Sequence, residues 1–181
     1  MIYRIFLGQI DYFSWIAQKK LSNSDVPNFE KSAAYNLAKE KLIKSGCSED
    51  NTYGIIDGIL DAEFSGIKSH GFHYLPIYCN HLKIGKIKGK AAPSYEKISN
   101  SAIKVNADNG FAHSAINIGL PLFFEMCAKE AISCMSVYNS YNCGVLGFHT
   151  KRIAEKGFVG LGFTNAPASI APLGGVKPVV G

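Results

Sequence analysis

The sequence predicts a mixed α/β (α+β) fold, and two kinds of apolar pattern carry this prediction. Between Phe29 and Leu82, apolar residues recur at the spacing of helices. After residue 100, short stretches in which apolar residues alternate with polar ones or follow one another directly indicate strands, and helical stretches lie between them. Helices that flank strands are typical of a mixed architecture.

The first predicted helix begins near Phe29 and ends at Gly46, because a glycine directly after the last apolar residue is a common helix stop. Its apolar face consists of Ala34, Leu37, Ala38 and Leu42. Residues 1–28 precede it as an irregular leader, since their apolar residues keep no single period. The sequence assigns no role to this leader.

The second predicted helix begins after Ser48, a favourable N-cap residue, and ends near Gly66. Glu49 and Asp50 lie in its first turn, where a carboxylate interacts favourably with the helix dipole. Its apolar face continues through Ile56, Ile59 and Leu60.

A third, short helix is predicted from Leu75 to Leu82, closed by Gly85. A short connection between Gly66 and Gly71 precedes this helix. Residues 85–101 follow it as a basic connection that contains Gly and Pro.

Three strands are predicted in the second half of the chain. Ile103, Val105 and Ala107 alternate with polar residues, which is a strand signal. Cys134–Tyr138 is predicted as a buried strand, and Phe158–Phe163 as a further strand. The residues beyond them form Pro/Gly-rich coil.

Two helices are predicted between these strands. The turn dipeptide Asn109-Gly110 precedes the first one, and Pro121 is expected to kink it. The apolar residues that define this helix are Ala115, Ile118, Leu122 and Met126. The second helix extends over Val145–Glu155 and stops at Gly157.

The charge balance favours a small anionic partner over nucleic acid. The chain has 19 Lys and Arg against 14 Asp and Glu, a net charge of +5. Its densest basic cluster has few interleaved aromatic residues, so we interpret it as a solvated loop; it comprises Lys83, Lys86, Lys88 and Lys90. A mildly positive surface also suits an anionic substrate or a cofactor phosphate.

The five cysteines indicate a reducing compartment. Their number is odd, no CxxC pair occurs, and the sequon Asn-x-Ser/Thr is absent. No secretory signal and no apolar run long enough to span a bilayer occurs. We therefore expect free thiols, a cytoplasmic location and no membrane partner.

The common nucleotide and metal motifs are missing. Gly160-Leu161-Gly162 lacks the third glycine of GxGxxG, and Gly89-Lys90 is followed by Ala91 where a P-loop needs Ser or Thr. No HExxH and no zinc-type His/Cys spacing occurs, so no metal is predicted.

His70 is the most suggestive single residue. It lies between Ser69, which can orient an imidazole, and Gly71, which permits close approach of a ligand. An imidazole titrates near neutrality and can exchange the proton that accompanies hydride transfer at a carbonyl. The alternative is a surface or capping histidine.

Two further segments could line a site. The loop Asn139–Gly144 lies between a strand and a helix, and a glycine there leaves backbone N–H groups free to meet a phosphate. The coil segments Thr164–Pro167 and Ala171–Gly175 could line a pocket. For each segment the alternative is an ordinary connection.

Together these segments resemble one family, the malate/L-lactate dehydrogenases that lack a Rossmann fold. Residues 61–71, DAEFSGIKSHG, are similar to its pattern aD..G..SHG, and Leu75, Pro76 and Tyr78 continue it. Asn139, Ser140 and Gly144 resemble nS.HfG. The remaining matches are Gly157, Thr164-Asn165, Ala171-Pro172, Gly174-Gly175 and Pro178. The resemblance extends from Phe29 to Gly181.

This resemblance implies an oxidoreductase that interconverts a 2-hydroxy acid and a 2-oxo acid of the malate, lactate, ureidoglycolate or diketogulonate type. It implies hydride transfer with NAD(H) or NADP(H), and a homodimer. Residues 29–100 would form a helical region that carries Ser69-His70-Gly71. Residues 101–181 would form the first part of the non-Rossmann cofactor-binding domain.

The resemblance also assigns roles to single residues. Ser69 and His70 match the family's proton-transfer pair, and Tyr74 matches a substrate-binding position. The segment that matches the dinucleotide contact consists of Asn142, Cys143, Gly144, Val145 and Leu146.

The chain departs from the family pattern in three places. Tyr74 stands where the family has an arginine suited to bidentate capture of a carboxylate. Asn142 replaces the histidine of the second motif and cannot titrate. The sequence ends at Gly181, whereas the family pattern continues. Two hypotheses follow: a working oxidoreductase, with missing parts supplied by another chain, or a truncated, catalytically inactive relative.

Overall fold

The structure, a computed structural model, describes residues 31–179. These residues belong to one compact unit. The predicted irregular leader, residues 1–28, lies outside the described residues.

Five α-helices occur in the described part of the chain, each where the apolar periodicity predicts one. They are α1 (Lys31–Lys44), α2 (Glu49–Phe64), α3 (Leu75–Lys83), α4 (Ala112–Lys129) and α5 (Leu146–Ala154). The helix α4 passes through Pro121 without a break. None of these helices is long and apolar enough to cross a membrane.

Ser48 occupies the N-cap position of α2, as predicted, but its side chain does not cap the helix. Its hydroxyl instead donates to the carbonyl of Gly89 at 3.4 Å, and its backbone N–H donates to the same oxygen at 3.0 Å. Tertiary contact with residue 89 has therefore displaced the local cap.

The three strands of the described region form one sheet in the order β1-β2-β3. They are β1 (Ser94–Lys97), β2 (Ala102–Asn106) and β3 (Cys134–Tyr138). The central strand β2 pairs antiparallel with β1 and parallel with β3, and Val105 lies opposite Val137. The parallel pairing follows from α4, which connects β2 to β3 as a crossover helix.

The sheet corrects two of the strand predictions. Residues 85–101 were expected to be a connection but include β1, whose four residues are all exposed and so give no apolar alternation. The strand β3 is present but is not buried: Cys134, Ser136 and Tyr138 are exposed, and Met135 and Val137 are half-buried. It lies at the edge of the sheet, where only one face packs on α4.

The predicted strand Phe158–Phe163 is wrong. The segment has the alternation of a strand, but it forms no ladder with any described residue. Val159, Leu161 and Phe163 remain 89%, 78% and 89% exposed, while Gly160 and Gly162 approach side chains of α5. The alternation of apolar residues shows only which side chains share a face. A strand also needs a neighbouring strand to pair with, and the alternation does not show whether one is present.

Two hydrophobic clusters form the core of the described part of the chain, and the loop after β3 contacts both. One cluster lies among α1, α2 and α3 and includes Leu42, Ile56 and Tyr78; the other lies between the sheet and α4. Tyr141 packs on the first cluster and Cys143 on the second. The loop 139–145 therefore lies where the two cores meet.

Candidate active site

Ser69 and His70 lie on a short 3-10 turn, Lys68–His70, directly after α2. The turn is tied to the end of α2, because the N–H of Ile67 donates to the carbonyl of Ala62 at 2.8 Å. Ser69 Oγ lies 3.0 Å from His70 Nδ1, which is hydrogen-bond distance. The expected contact between the two side chains is thus present. It engages Nδ1 of His70 and does not involve Nε2, the second ring nitrogen.

Glu63 fills the space beside Gly71 that was expected to admit a ligand. Its carboxylate accepts the N–H of Phe72 at 2.9 Å. A Cβ on residue 71 would collide with this carboxylate. The glycine is therefore required for the approach of Glu63, which no local pattern indicated.

A column of aromatic rings connects His70 to the loop after β3. The rings of His70 and Tyr74 stack with centroids 6.1 Å apart and planes 5° apart, and Tyr74 meets Tyr78 edge-on at 4.8 Å. The hydroxyl of Tyr78 donates to Oδ1 of Asn142 at 3.0 Å. Ser69, His70, Tyr74 and Asn142 thus belong to one continuous set of contacts.

Asn142 organises the loop from within. Its Oδ1 also accepts the N–H of Gly144 at 2.7 Å. Gly144 has φ +68°, in the left-handed region that favours glycine. The N–H of Gly144 is thus already used by Asn142 and is not available to a phosphate. The N–H groups of Leu146 and Gly147 follow at the start of α5, whereas the N–H of Phe148 donates to the carbonyl of Val145 at 3.0 Å.

Tyr141 and His81 form a polar pair that sequence reasoning missed. The Tyr141 hydroxyl lies 2.6 Å from His81 Nδ1, and the rings meet edge-on at 5.6 Å. Burial, together with the neighbouring Tyr74 hydroxyl, raises the pKa of Tyr141 to about 12, so the phenol stays protonated at neutral pH. Sixty residues separate the two partners, and no local signal links them.

Two histidines also missed by sequence reasoning lie beneath the same loop. His113 in α4 is 2% exposed, and His149 in α5 is 8% exposed. Their ring centroids are 5.3 Å apart. His149 Nε2 lies 2.8 Å from the carbonyl oxygen of Cys143.

The third predicted segment does not join this set. Residues 164–167 are exposed, and residues 171–175 are exposed except for the half-buried Ala171. Among residues 31–179, no group of three or more His, Cys, Asp or Glu side chains is arranged to hold a metal ion.

Comparison with known proteins identifies the class of dehydrogenases to which the chain is related. Residues 29–181 match the sequence pattern of the malate/L-lactate dehydrogenase family. The chain therefore belongs to the malate/L-lactate dehydrogenase family, as its motifs predict.

Its relatives include named dehydrogenases and reductases. A (2R)-3-sulfolactate dehydrogenase (NADP(+)) from Chromohalobacter salexigens is 33% identical over 123 residues, which are 68% of this chain and 37% of the relative. A Delta(1)-pyrroline-2-carboxylate reductase from Burkholderia ambifaria is 30% identical over 145 residues, which are 80% of this chain and 43% of the relative. The chain thus spans about two fifths of these relatives.

Solved structures show the same fold. The malate dehydrogenase from Entamoeba histolytica superposes with a TM-score of 0.75 at 25% identity, over 86% of this chain and 43% of that one. The sulfolactate dehydrogenase from Methanocaldococcus jannaschii superposes with a TM-score of 0.72 at 21% identity, over 83% and 44%. The mixed α/β fold predicted from the sequence is confirmed.

Proposed function

We propose that this chain carries the proton-transfer site of an NAD(P)-dependent oxidoreductase that interconverts a 2-hydroxy acid and a 2-oxo acid. The observation that carries this proposal is the Ser69–His70 pair, linked through the rings of Tyr74 and Tyr78 to the loop 139–145. Its similarity to sulfolactate and malate/sulfolactate dehydrogenases supports the reaction class. In this proposal residues 29–100 supply the proton-transfer pair, and residues 101–181 form the first part of the cofactor-binding domain.

The Ser69–His70 pair has the chemistry that both directions of such a reaction require. A hydroxyl can donate or accept a hydrogen bond, so Ser69 Oγ can pair with either tautomer of the imidazole. When Ser69 donates to Nδ1, Nε2 carries a proton and can deliver it to a forming alkoxide. When Nδ1 donates to Ser69, Nε2 is a base that can take the proton of an alcohol.

Tyr74 gives the substrate side of this site a neutral donor. Its ring stacks on His70, so its hydroxyl belongs to the surroundings of the imidazole. A phenol makes one hydrogen bond, whereas an arginine would offer a charged fork to a carboxylate. We therefore expect weak affinity for a simple 2-oxo carboxylate at this position.

The loop and the start of α5 fit an anionic dinucleotide. No acidic residue lies in the first turn of α5, so the positive end of its dipole is uncompensated by a side chain. The residues that would hold NAD(H) or NADP(H) are Asn142, Cys143, Gly144, Val145 and Leu146, with the N–H groups after Gly144 directed to phosphate. The bound nicotinamide would supply or accept the hydride.

The proposal includes a homodimer and a cytoplasmic location. A homodimer follows from the family resemblance. All five cysteines lie within residues 31–179 and are free, which suits the reducing environment of the cytoplasm.

The test is cofactor binding and turnover by the purified chain. NADH and NADPH are titrated while nicotinamide fluorescence is recorded, and 2-oxo acids are then assayed for cofactor oxidation. We expect saturable binding by the wild type and by His70→Asn, but a loss of turnover of about 100-fold or more in the variant, since a general acid contributes about 10²–10⁴-fold.

His73→Asn is the matched control, because His73 is an exposed histidine on the neighbouring turn. It should leave turnover unchanged. A folded chain that binds neither cofactor would contradict the proposal and favour an inactive family member. Equal turnover in wild type and His70→Asn would remove His70 from the reaction.

A further inference from the structure

The loop proposed to hold the dinucleotide rests on two buried imidazoles. His113 comes from α4 and His149 from α5, and both are more than nine-tenths buried. Their rings lie 5.3 Å apart at the core side of the loop. Each ring keeps a buried Nδ1 without a hydrogen-bond partner among the described residues. Such unpaired buried nitrogens are uncommon in folded proteins.

His149 contacts the loop through its other nitrogen. Nε2 lies 2.8 Å from the carbonyl oxygen of Cys143, and a carbonyl can only accept. Nε2 therefore carries the proton, and Nδ1 of the neutral ring is a lone pair that faces the protein interior. This hydrogen bond joins α5 to the residue in front of Gly144.

His113 supports the loop by shape. A Cβ on Gly144 would lie 3.1 Å from its Nε2, and a Cβ on Gly58 would lie 2.8 Å from the same atom. The imidazole is thus wedged between α2 and the loop. Glycine on both sides allows the close approach.

We propose that His149, in contact with His113, is a positioning residue for residues 142–146, the end of the loop and the first residue of α5. It holds them in their binding conformation only while both imidazoles are neutral. This inference rests on the proposed function for its effect on the cofactor. The effect on the loop itself depends on the geometry alone.

The charges around the pair disfavour a proton on either ring. His113 from α4 and Arg152 on α5 face His149; Arg152 is itself near Asp57 of α2 and donates to Asn117 of α4 at 2.8 Å. Burial, and then the neighbouring His149 and Arg152, lower the pKa of His113 to about 3. Burial also lowers the pKa of His149, which the hydrogen bond to Cys143 only partly offsets.

The sign of the pH effect follows from these directions. An opened loop exposes the imidazoles to water, where they bind protons at their ordinary pKa of about 6.5. Between that pH and the lower pKa of the closed form, the open state binds more protons, so acid favours opening. The loop is therefore held firmly above about pH 7 and loosens as the pH falls below 6.5.

Two replacements of His149 separate the hydrogen bond from the titration. His149→Gln keeps an N–H that can donate to Cys143 but cannot gain a charge. His149→Phe keeps a planar ring and loses the donor. Amide hydrogen exchange of Gly144 in the uncomplexed protein reports on the loop, and calorimetric titration with NAD⁺ and NADP⁺ reports on binding.

At pH 7.5 we expect exchange of the Gly144 amide to be about tenfold faster in His149→Phe and within about threefold of wild type in His149→Gln. Between pH 7.5 and 5.5, after correction for intrinsic exchange, protection should fall about fivefold more in wild type than in His149→Gln, because only His113 still titrates in the variant. Cofactor affinity should change in parallel with protection. Because the cofactor itself titrates equally with both proteins, the difference between wild type and His149→Gln reports on the protein alone.

Equal Gly144 protection in wild type and His149→Phe would overturn the inference, as would the same pH dependence in wild type and His149→Gln. If the wild type binds neither cofactor, the proposed function fails, but the exchange data still decide whether His149 positions the loop. Unchanged protection in the middle of α4 serves as the check that each variant is folded.

Discussion

Gly71, next to the candidate catalytic histidine, leaves room for a carboxylate of the protein and not for a ligand. A methyl group at this position would meet Oε2 and the backbone Cα of Glu63. The carboxylate would have to leave the N–H of Phe72, which it now binds at 2.9 Å. The conformation of the residues after His70 therefore depends on the absence of a side chain at position 71.

We predict that Gly71→Ala lowers the free energy of unfolding by about 1–3 kcal/mol, the cost of an overpacked contact or an unpaired polar group. Chemical denaturation with far-ultraviolet circular dichroism measures it. Glu63→Ala alone should cost about 1 kcal/mol through the lost hydrogen bond. In the double variant the alanine at position 63 makes room, so the two effects should not add. Additive effects would contradict the contact.

The polar pairs around the site show what residue-level reading of the sequence can and cannot find. Ser69 and His70 are neighbours in the chain, so their contact could be predicted. The Tyr141–His81 and Tyr78–Asn142 hydrogen bonds join residues 60 and 64 positions apart. Nothing local distinguishes Tyr141 or His81 from an ordinary surface residue.

At the scale of elements, helix α4 and the sheet approach each other closely at Gly119 of α4. A Cβ there would lie 2.7 Å from Met135 Sδ and 3.0 Å from Val105 Cγ2. The thioether of Met135 can move, but Val105 is fully buried in the central strand and is stiff at χ1. The glycine sets the distance between α4 and the sheet.

We predict that Gly119→Ala lowers the free energy of unfolding by about 1 kcal/mol, because overpacking costs about 1–3 kcal/mol and alanine recovers about 1 kcal/mol of helix propensity. Urea denaturation measures the difference. Gly147→Ala in α5 is the matched control: its nearest neighbour, Val145 Cγ1, lies at an ordinary 3.8 Å. This control should gain about 0.5 kcal/mol. A stabilising Gly119→Ala would show that the helix can move away.

Helices and strands differ in how far the sequence alone predicts them. All five helices of residues 31–179 were predicted, because their hydrogen bonds and apolar faces repeat within a few residues. The strand β1 was missed and Phe158–Phe163 was wrongly predicted, since a strand is defined by a partner that lies elsewhere in the chain. The exposure of β3 likewise depends on its place at the sheet edge.

At the scale of the whole molecule, the two buried histidines predict loss of stability in mild acid. The folded protein keeps His113 at a pKa of about 3 and His149 below its ordinary value, while the unfolded chain binds protons near 6.5. Their contribution to the free energy of unfolding is fully present above pH 6.5. It falls as the pH decreases from 6.5 towards the folded-state values.

We predict that the free energy of unfolding falls by about 1 kcal/mol per pH unit for each histidine below pH 6.5. Urea denaturation series between pH 7.5 and 4.5 measure this slope. His113→Met removes one titrating group and should flatten the slope, whatever it does to the stability at pH 7.5. The exposed His73→Asn should leave the slope as in wild type. An unchanged slope in His113→Met would contradict the prediction.

The family, the helices and the adjacent Ser69–His70 pair could be derived from the order of residues, because each depends on spacing along the chain. Packing alone brought Glu63 to Gly71, Tyr141 to His81, and two imidazoles beneath the loop 142–146. These contacts join different elements, and their distances arise only when the two cores assemble on either side of the loop.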